Sequence, residues 1–92
     1  MLITVEFAAQ AKEAAGTATE EIEVPSPYGV QEIAEIVCRC RGDNLREVLL
    51  DEEGALHRSV LVLVNDSQVF HDESPEFREG DRVMFLPPVS GG

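Results

Sequence analysis

Apolar and polar residues alternate over the first nine positions of the chain. Ile3, Val5 and Phe7 fall on one side and Thr4 and Glu6 on the other, a two-residue period that predicts a strand over Met1 to Ala9. The period returns from Thr19 to Val24, with Ile22 and Val24 turned inward and Glu21 and Glu23 outward. Between them, Gln10 to Thr17 contains Ala14-Ala15-Gly16 and reads as a connection with a helical turn, so the two strands can pair as an antiparallel hairpin. Pro25-Ser26-Pro27 stops the second strand, because proline has no N–H to give a ladder.

The spacing then changes. Val30, Ile33, Ala34, Val37 and Cys38 fall at i, i+3, i+4, i+7 and i+8, the stripe of a helix that lies on a sheet. Arg39 and Arg41 suit the negative pole of its dipole, and Gly42 is a natural stop. Leu45, Val48 and Leu49 predict a second short helix starting near the capping residue Asn44, and Asp51 to Gly54 a charged turn. Ser59 to Val64 includes VLVLV, five apolar residues in a row, as expected of a strand covered on both faces. Asn65-Asp66-Ser67 turns the chain, and Gln68 to Phe70 forms a brief strand. HDESPEFREGD is irregular and polar, and Arg82 to Leu86 is a final, nearly all-apolar strand.

A right-handed crossover after the second strand lays the main helix across one sheet face, and one small mixed sheet under that helix is the economical solution. Pairing the first strand parallel to the last puts two apolar segments in the middle. The expected fold class is therefore α+β: a β-grasp, or ubiquitin-like, domain over residues 1–86. It has a mixed sheet of four to five strands and one main helix on one face. Residues 87–92 are read as an extended, flexible tail.

Composition narrows the function. Ninety-two residues make one domain, and with no tryptophan and five aromatics its core must be mainly aliphatic. Seven basic residues against eighteen acidic ones give a net charge of -11, which repels phosphates and anionic lipid and suits a partner with a basic docking face. No nucleic acid or membrane partner is expected. No apolar run approaches the ~18 residues of a membrane span, and the N-terminus lacks the basic region of a signal peptide, so the expected location is cytoplasmic. Cys38 and Cys40 are two apart on a helix and point to nearly opposite sides, which suits neither a disulfide nor a shared metal. His57 and His71 have no i,i+4 partner, and no metal site is expected. Glu20-Glu21 and Asp51-Glu52-Glu53 read as solvated surface. No Gly-rich phosphate loop or nucleophile–base pair occurs, so the body reads as a scaffold and no enzyme on its own.

The ending FLPPVSGG is the exception. Two terminal glycines arise by chance in about one chain in 200 at roughly 7% glycine. Here they follow a strand that anchors Phe85 and Leu86, and Pro87-Pro88, which forces a stiff, extended exit. Val89, Ser90, Gly91 and Gly92 then form an arm whose glycines fit a narrow channel. The group it presents is the Gly92 carboxylate. That group is a poor electrophile and must be activated by a second enzyme, for example as an acyl-adenylate.

Three stretches, ITVEFAAQAKEAAG, VLVLVND and EGDRVMFLPPVSGG, resemble the small, sulfur-carrier subunit of molybdopterin synthase. The likeness covers essentially the whole chain, and the thiamine-pathway carrier is a more distant relative. It implies that an ATP-dependent, ubiquitin-activating-type adenylyltransferase adenylates Gly92 and a sulfur donor enzyme converts it to a thiocarboxylate. It further implies that the sulfur passes to cyclic pyranopterin monophosphate in the large synthase subunit, within a heterotetramer of two small and two large subunits. Catalytic side chains then belong to the large subunit, ATP is used by the activating enzyme, and no cofactor is held permanently. Pro87, Pro88, Val89, Ser90 and Gly91 would thread the partner. The family commonly shows FA-x-L/V-R-E after the first strand. This chain has Phe7-Ala8-Ala9-Gln10-Ala11-Lys12-Glu13, with a lysine in place of the usual arginine. Lys12 is thus a candidate docking residue, as are Phe70 and Phe77 beside the irregular loop, with core packing the plainer alternative for each phenylalanine. Three other readings stay open: a carrier for thiamine, cysteine or tRNA thiolation; a modifier joined to target lysines; and an interaction domain with an incidental Gly-Gly end.

Overall fold

The computed structural model describes residues 1–25, 28–73 and 75–88; of the predicted stop, Ser26 and Pro27 lie outside them. Among the described residues the elements run β1 (Leu2–Phe7), α1 (Gln10–Ala15), β2 (Thr19–Glu23), α2 (Val30–Arg41), α3 (Asp43–Leu49), β3 (Leu61–Val64), β4 (Ser67–Val69) and β5 (Arg82–Leu86). The sheet order is β2-β1-β5-β3-β4. The first and last strands lie parallel at its centre, Val5 beside Val83 and Phe7 beside Phe85, and every other pairing is antiparallel. This is the mixed sheet and helix layer of a β-grasp fold.

Alternation decides what each strand buries. Ile3, Val5, Ile22, Val62, Val83 and Phe85 face the helices and are at most 6% exposed. The stripe read from the sequence, Val30, Ile33, Ala34, Val37 and Cys38, is the buried face of α2. Burial of such aliphatic side chains contributes roughly 1.5–3 kcal/mol each relative to exposure, and no polar or charged side chain is buried among the described residues. Val60, Leu45, Leu49 and Phe77 are also part of the core.

Local chemistry fixes the joints. The Glu32 carboxylate accepts from the Gly29 N–H at 2.6 Å, satisfying one orphan donor at the start of α2. Gly42, at φ 101, separates α2 from α3 and donates its N–H to the Cys38 carbonyl at 2.9 Å. Gln31 clamps the following loop from both ends of its amide: Nε2 donates to the Gly54 carbonyl at 2.8 Å, and Oε1 accepts from the Leu56 N–H at 2.7 Å. Asn65 and Asp66, both at positive φ, make the two-residue turn between β3 and β4, a conformation these two side chains tolerate. Past the end of β4, the His71 ring Nε2 donates to the Val60 carbonyl at 2.6 Å and ties the irregular loop to the residue before β3.

Two expectations are corrected. The connection after β1 is a full short helix, α1. Its six residues are too few to be stable alone. Ala11 and Ala15 are buried, α1 packs on α3, and Gly16 in the left-handed region closes the helix. The second correction concerns VLVLV. Val60 and Val62 are buried, but Leu61 is 44% exposed, so β3 is covered on one face only. Its apolar run continues onto a surface that no helix covers among the described residues.

Candidate functional site

The site grows from the parity of β5. With Val83 and Phe85 facing the core, Met84 and Leu86 must face the other way. The β3 register sets Leu63 opposite Met84 and Leu61 opposite Leu86, so four apolar side chains share the uncovered side of the sheet. Phe70 follows β4 on the same edge. It is 66% exposed and lines one groove with Leu61 and Gln68.

A second groove adjoins it at the point where the chain leaves the sheet. Leu61, Leu86, Pro87, Pro88 and Ser59 line it, and its walls are almost wholly apolar. Leu61 belongs to both grooves and joins the tail's root to the outer face of the sheet. A third, more polar groove shares Ser59, Pro87 and Pro88 with the second and contains Gln10, Glu47 and His57. There the His57 ring Nδ1 lies 2.7 Å from the Ser59 hydroxyl, and the His57 backbone N–H donates to the Leu49 carbonyl at 2.8 Å. The exit thus borders two grooves of different polarity.

Charges border the apolar surface. Arg82, at the start of β5, lies 3.0 Å from Asp66 and 3.7 Å from Glu6. Both contacts are half open to water and worth little on their own. Beyond β1, Glu21 and Glu23 are exposed on β2, so the sheet face grades from apolar at β3 and β5 to acidic at β2.

The predicted site residues separate. Pro87 is buried at the root and Pro88 is exposed, while Val89, Ser90, Gly91 and Gly92 lie outside the described residues. Phe70 is on the surface. Phe77, 8% exposed, is part of the core and offers no docking area. Lys12 is exposed on α1, in a groove with Glu13 and Thr17 that shares no residue with the groove of Phe70. Leu61, Leu63, Met84 and Leu86 were missed as a surface. The available signal was VLVLV itself, since a one-sided strand needs only every second residue apolar.

Among the described residues no group of three or more His, Cys, Asp or Glu side chains could hold a metal ion, and no helix is long and apolar enough to cross a membrane. Cys38 is buried and Cys40 exposed. Burial pushes the Cys38 thiol up to about 11; the Arg46 charge partly opposes that rise and Glu35 adds to it. Cys38 is thus a packed thiol and no nucleophile.

Comparison with known proteins agrees with this geometry. Residues 5–92 match the ThiS family. No curated protein matches the chain. Among solved structures, SAMP1 from Haloferax volcanii superposes with a TM-score of 0.87 at 24% identity over 100% of both chains. The small archaeal modifier protein 1 (SAMP1) from Methanosarcina acetivorans gives 0.77 at 27%, over 99% of this chain and 96% of its own. A Pyrococcus furiosus protein described as molybdopterin converting factor, subunit 1, gives 0.72 at 30%, over 97% and 99%. A chain of the BexX/CysO complex from Amycolatopsis orientalis gives 0.68 at 29%, over 98% and 99%. The last of these occurs with a partner subunit, and the molybdopterin protein stands beside modifiers rather than alone. The chain belongs to the ThiS family of ubiquitin-like, β-grasp sulfur-carrier proteins, small polypeptides that are not enzymes on their own.

Proposed function

We propose that this protein is a carrier whose working group is the Gly92 carboxylate, activated by an ATP-dependent adenylating enzyme and converted by a sulfur donor to a thiocarboxylate. The observation that carries the reading is the course of β5. It is hydrogen-bonded on both sides, between β1 and β3, and runs directly into Pro87 and Pro88 beside an open apolar face. A central strand gives the tail a rigid base, and two prolines keep it from folding back into the ladder. Leu61, Leu63, Met84, Leu86 and Phe70 form the surface on which the partner sits while the arm enters its channel. The acidic margin and net charge of -11 favour a basic rim on that partner.

For the pathway, the first reading is the small subunit of molybdopterin synthase. The large subunit takes the arm and sulfur moves to cyclic pyranopterin monophosphate. The 30% identity with the Pyrococcus furiosus protein over nearly all of both chains supports it. A second reading, a modifier joined through Gly92 to lysines of other proteins, is supported by the 27% identity with the Methanosarcina acetivorans modifier. Two reactions separate them. Thiocarboxylated protein mixed with a large synthase subunit and the cyclic pterin forms molybdopterin under the first. Isopeptide-linked lysine adducts in protein taken from its own cells identify the second. Absence of adenylation when ATP and an activating enzyme are supplied would sink both.

A further inference from the structure

An open sheet has two edges, and the main-chain groups along them can bond a further strand. Here the edges are β2 and β4. β4 has little to give. Val64 and Ser67 close its two-residue turn and Val62 pairs with Val69, so within β4 only Gln68 turns its backbone N–H and C=O outward.

β2 offers more. At one end the Met1 amine donates to the Val24 carbonyl at 2.7 Å, and the Val24 N–H donates back to the Met1 carbonyl at 2.9 Å. At the other end the Phe7 N–H donates to the Ala18 carbonyl at 2.8 Å. The even-numbered residues from Ala18 to Val24 therefore bond β1, and Thr19, Glu21 and Glu23 direct their backbone groups to the open side. The Thr17 hydroxyl donates to the Thr19 carbonyl at 3.0 Å, and Pro25 has no N–H, so the open stretch is bounded at both ends. Between those bounds, the N–H and C=O of Glu21 and Glu23 have no partner among the described residues. Both residues are exposed and extended.

Charge selects what can pair there. Glu20 is matched by Arg41 from the end of α2, and Glu23 by the N-terminal amine. Glu21 stands opposite Thr4, with no cation beside it among the described residues. A second copy pairing β2 with β2 would set glutamates against glutamates on a chain of net charge -11, which opposes self-association. The same rule favours a lysine or arginine opposite Glu21. Ile22 faces the helices and is 6% exposed, so the partner residues beside it are best apolar.

We propose that β2 is a strand-addition site for another protein, whose extended segment alternates basic and apolar residues and pairs antiparallel with β2. In that geometry the residue opposite Glu21 exchanges backbone bonds with it and shares its face of the sheet, so one basic residue supplies both the ladder and the ion pair. β2 lies at the opposite edge from β4, so the interaction uses neither Leu61 nor Phe70 and needs no activation of Gly92.

The test adds a short capped peptide of alternating lysine and valine to the full chain and follows amide hydrogen exchange by NMR. Exchange at the Glu21 and Glu23 amides should slow by about 10-fold or more when the peptide is in excess. N-methylation of the lysine amides, which face β2, should abolish the effect, while N-methylation of the valine amides, which face away, should spare it. Glu21→Lys, a change at an exposed position, should weaken binding about 10-fold. Absence of binding would overturn the proposal. So would binding that survives lysine N-methylation, since the peptide would then merely adhere to the acidic surface. Protection at Gln68 in place of Glu21 and Glu23, or pairing of β2 between copies without peptide, would overturn it as well.

Discussion

Neighbouring residues of β3 should fail in opposite ways. Val62 is fully buried in the core, and Leu61, beside it in sequence, is 44% exposed on the uncovered face. Val62→Ala deletes two buried methyl groups at about 1–1.5 kcal/mol each, or about 2–3 kcal/mol in all. For a domain of this size that lowers the thermal midpoint by roughly 10–20 °C. Leu61→Ser gives up only about half of a leucine's burial, about 1 kcal/mol, or roughly 5 °C. Binding should invert the order. If Leu61 is an anchor where the partner sits, its loss costs about 2 kcal/mol of association, about 30-fold in affinity. The assay is the carrier KM in ATP–pyrophosphate exchange by the activating enzyme, measured well below both midpoints. Leu61→Ser should raise KM about 30-fold and Val62→Ala should leave it nearly unchanged. An unaltered KM in folded Leu61→Ser would refute the docking face. A midpoint loss as large as that of Val62→Ala would show that Leu61 belongs to the core.

Three further outcomes are expected. Ala9 sits at φ 53, ψ -129, a conformation that favours glycine and costs another residue about 1–3 kcal/mol. Ala9→Gly should therefore stabilise by about 1 kcal/mol in urea titration, after about 0.4–1 kcal/mol is returned to the unfolded chain. Gln31→Ala removes both hydrogen bonds to the 54–56 loop; a loss of about 1–3 kcal/mol is expected, with faster amide exchange at Leu56. Iodoacetamide at neutral pH should label Cys40 and spare Cys38 until denaturant is added. The Cys38 thiol ionises near 9.0 when unfolded and at about 11 when folded, so the folded chain keeps a proton the unfolded one has lost. Its contribution to stability is whole below pH 9 and is lost as pH rises towards 11. Cys38→Ala should flatten that part of the stability–pH curve.

What could be read from the chain followed from periodicity. Ile3, Val5 and Phe7 announced β1, and the stripe from Val30 to Cys38 announced α2 residue by residue, because burial on one side leaves a regular trace. Phe70 closes a predicted strand too short to show a period and Phe77 lies in a polar stretch with none, so nothing local told the surface ring from the core ring. The six residues of α1 carry too little pattern to name a helix, and tertiary packing of Ala11 and Ala15 decides the matter. VLVLV misled for a different reason. Apolar residues facing a partner and apolar residues facing a second layer look alike along the chain, and only the empty space over Leu61 separates them. The tail was legible in order and residue type, while its neighbours Ser59, His57 and Gln10 meet it only through the fold.

The central claim is that Gly92 carries the transferable group. Intact mass and C-terminal peptide spectra of the protein, taken after incubation with ATP, its activating enzyme and a sulfur donor, test it most directly. The account requires one terminal oxygen replaced by sulfur on Gly92 and no such change in a chain lacking Gly92. An unmodified Gly92 under conditions that release pyrophosphate, or sulfur transfer by the chain lacking Gly92, would contradict it.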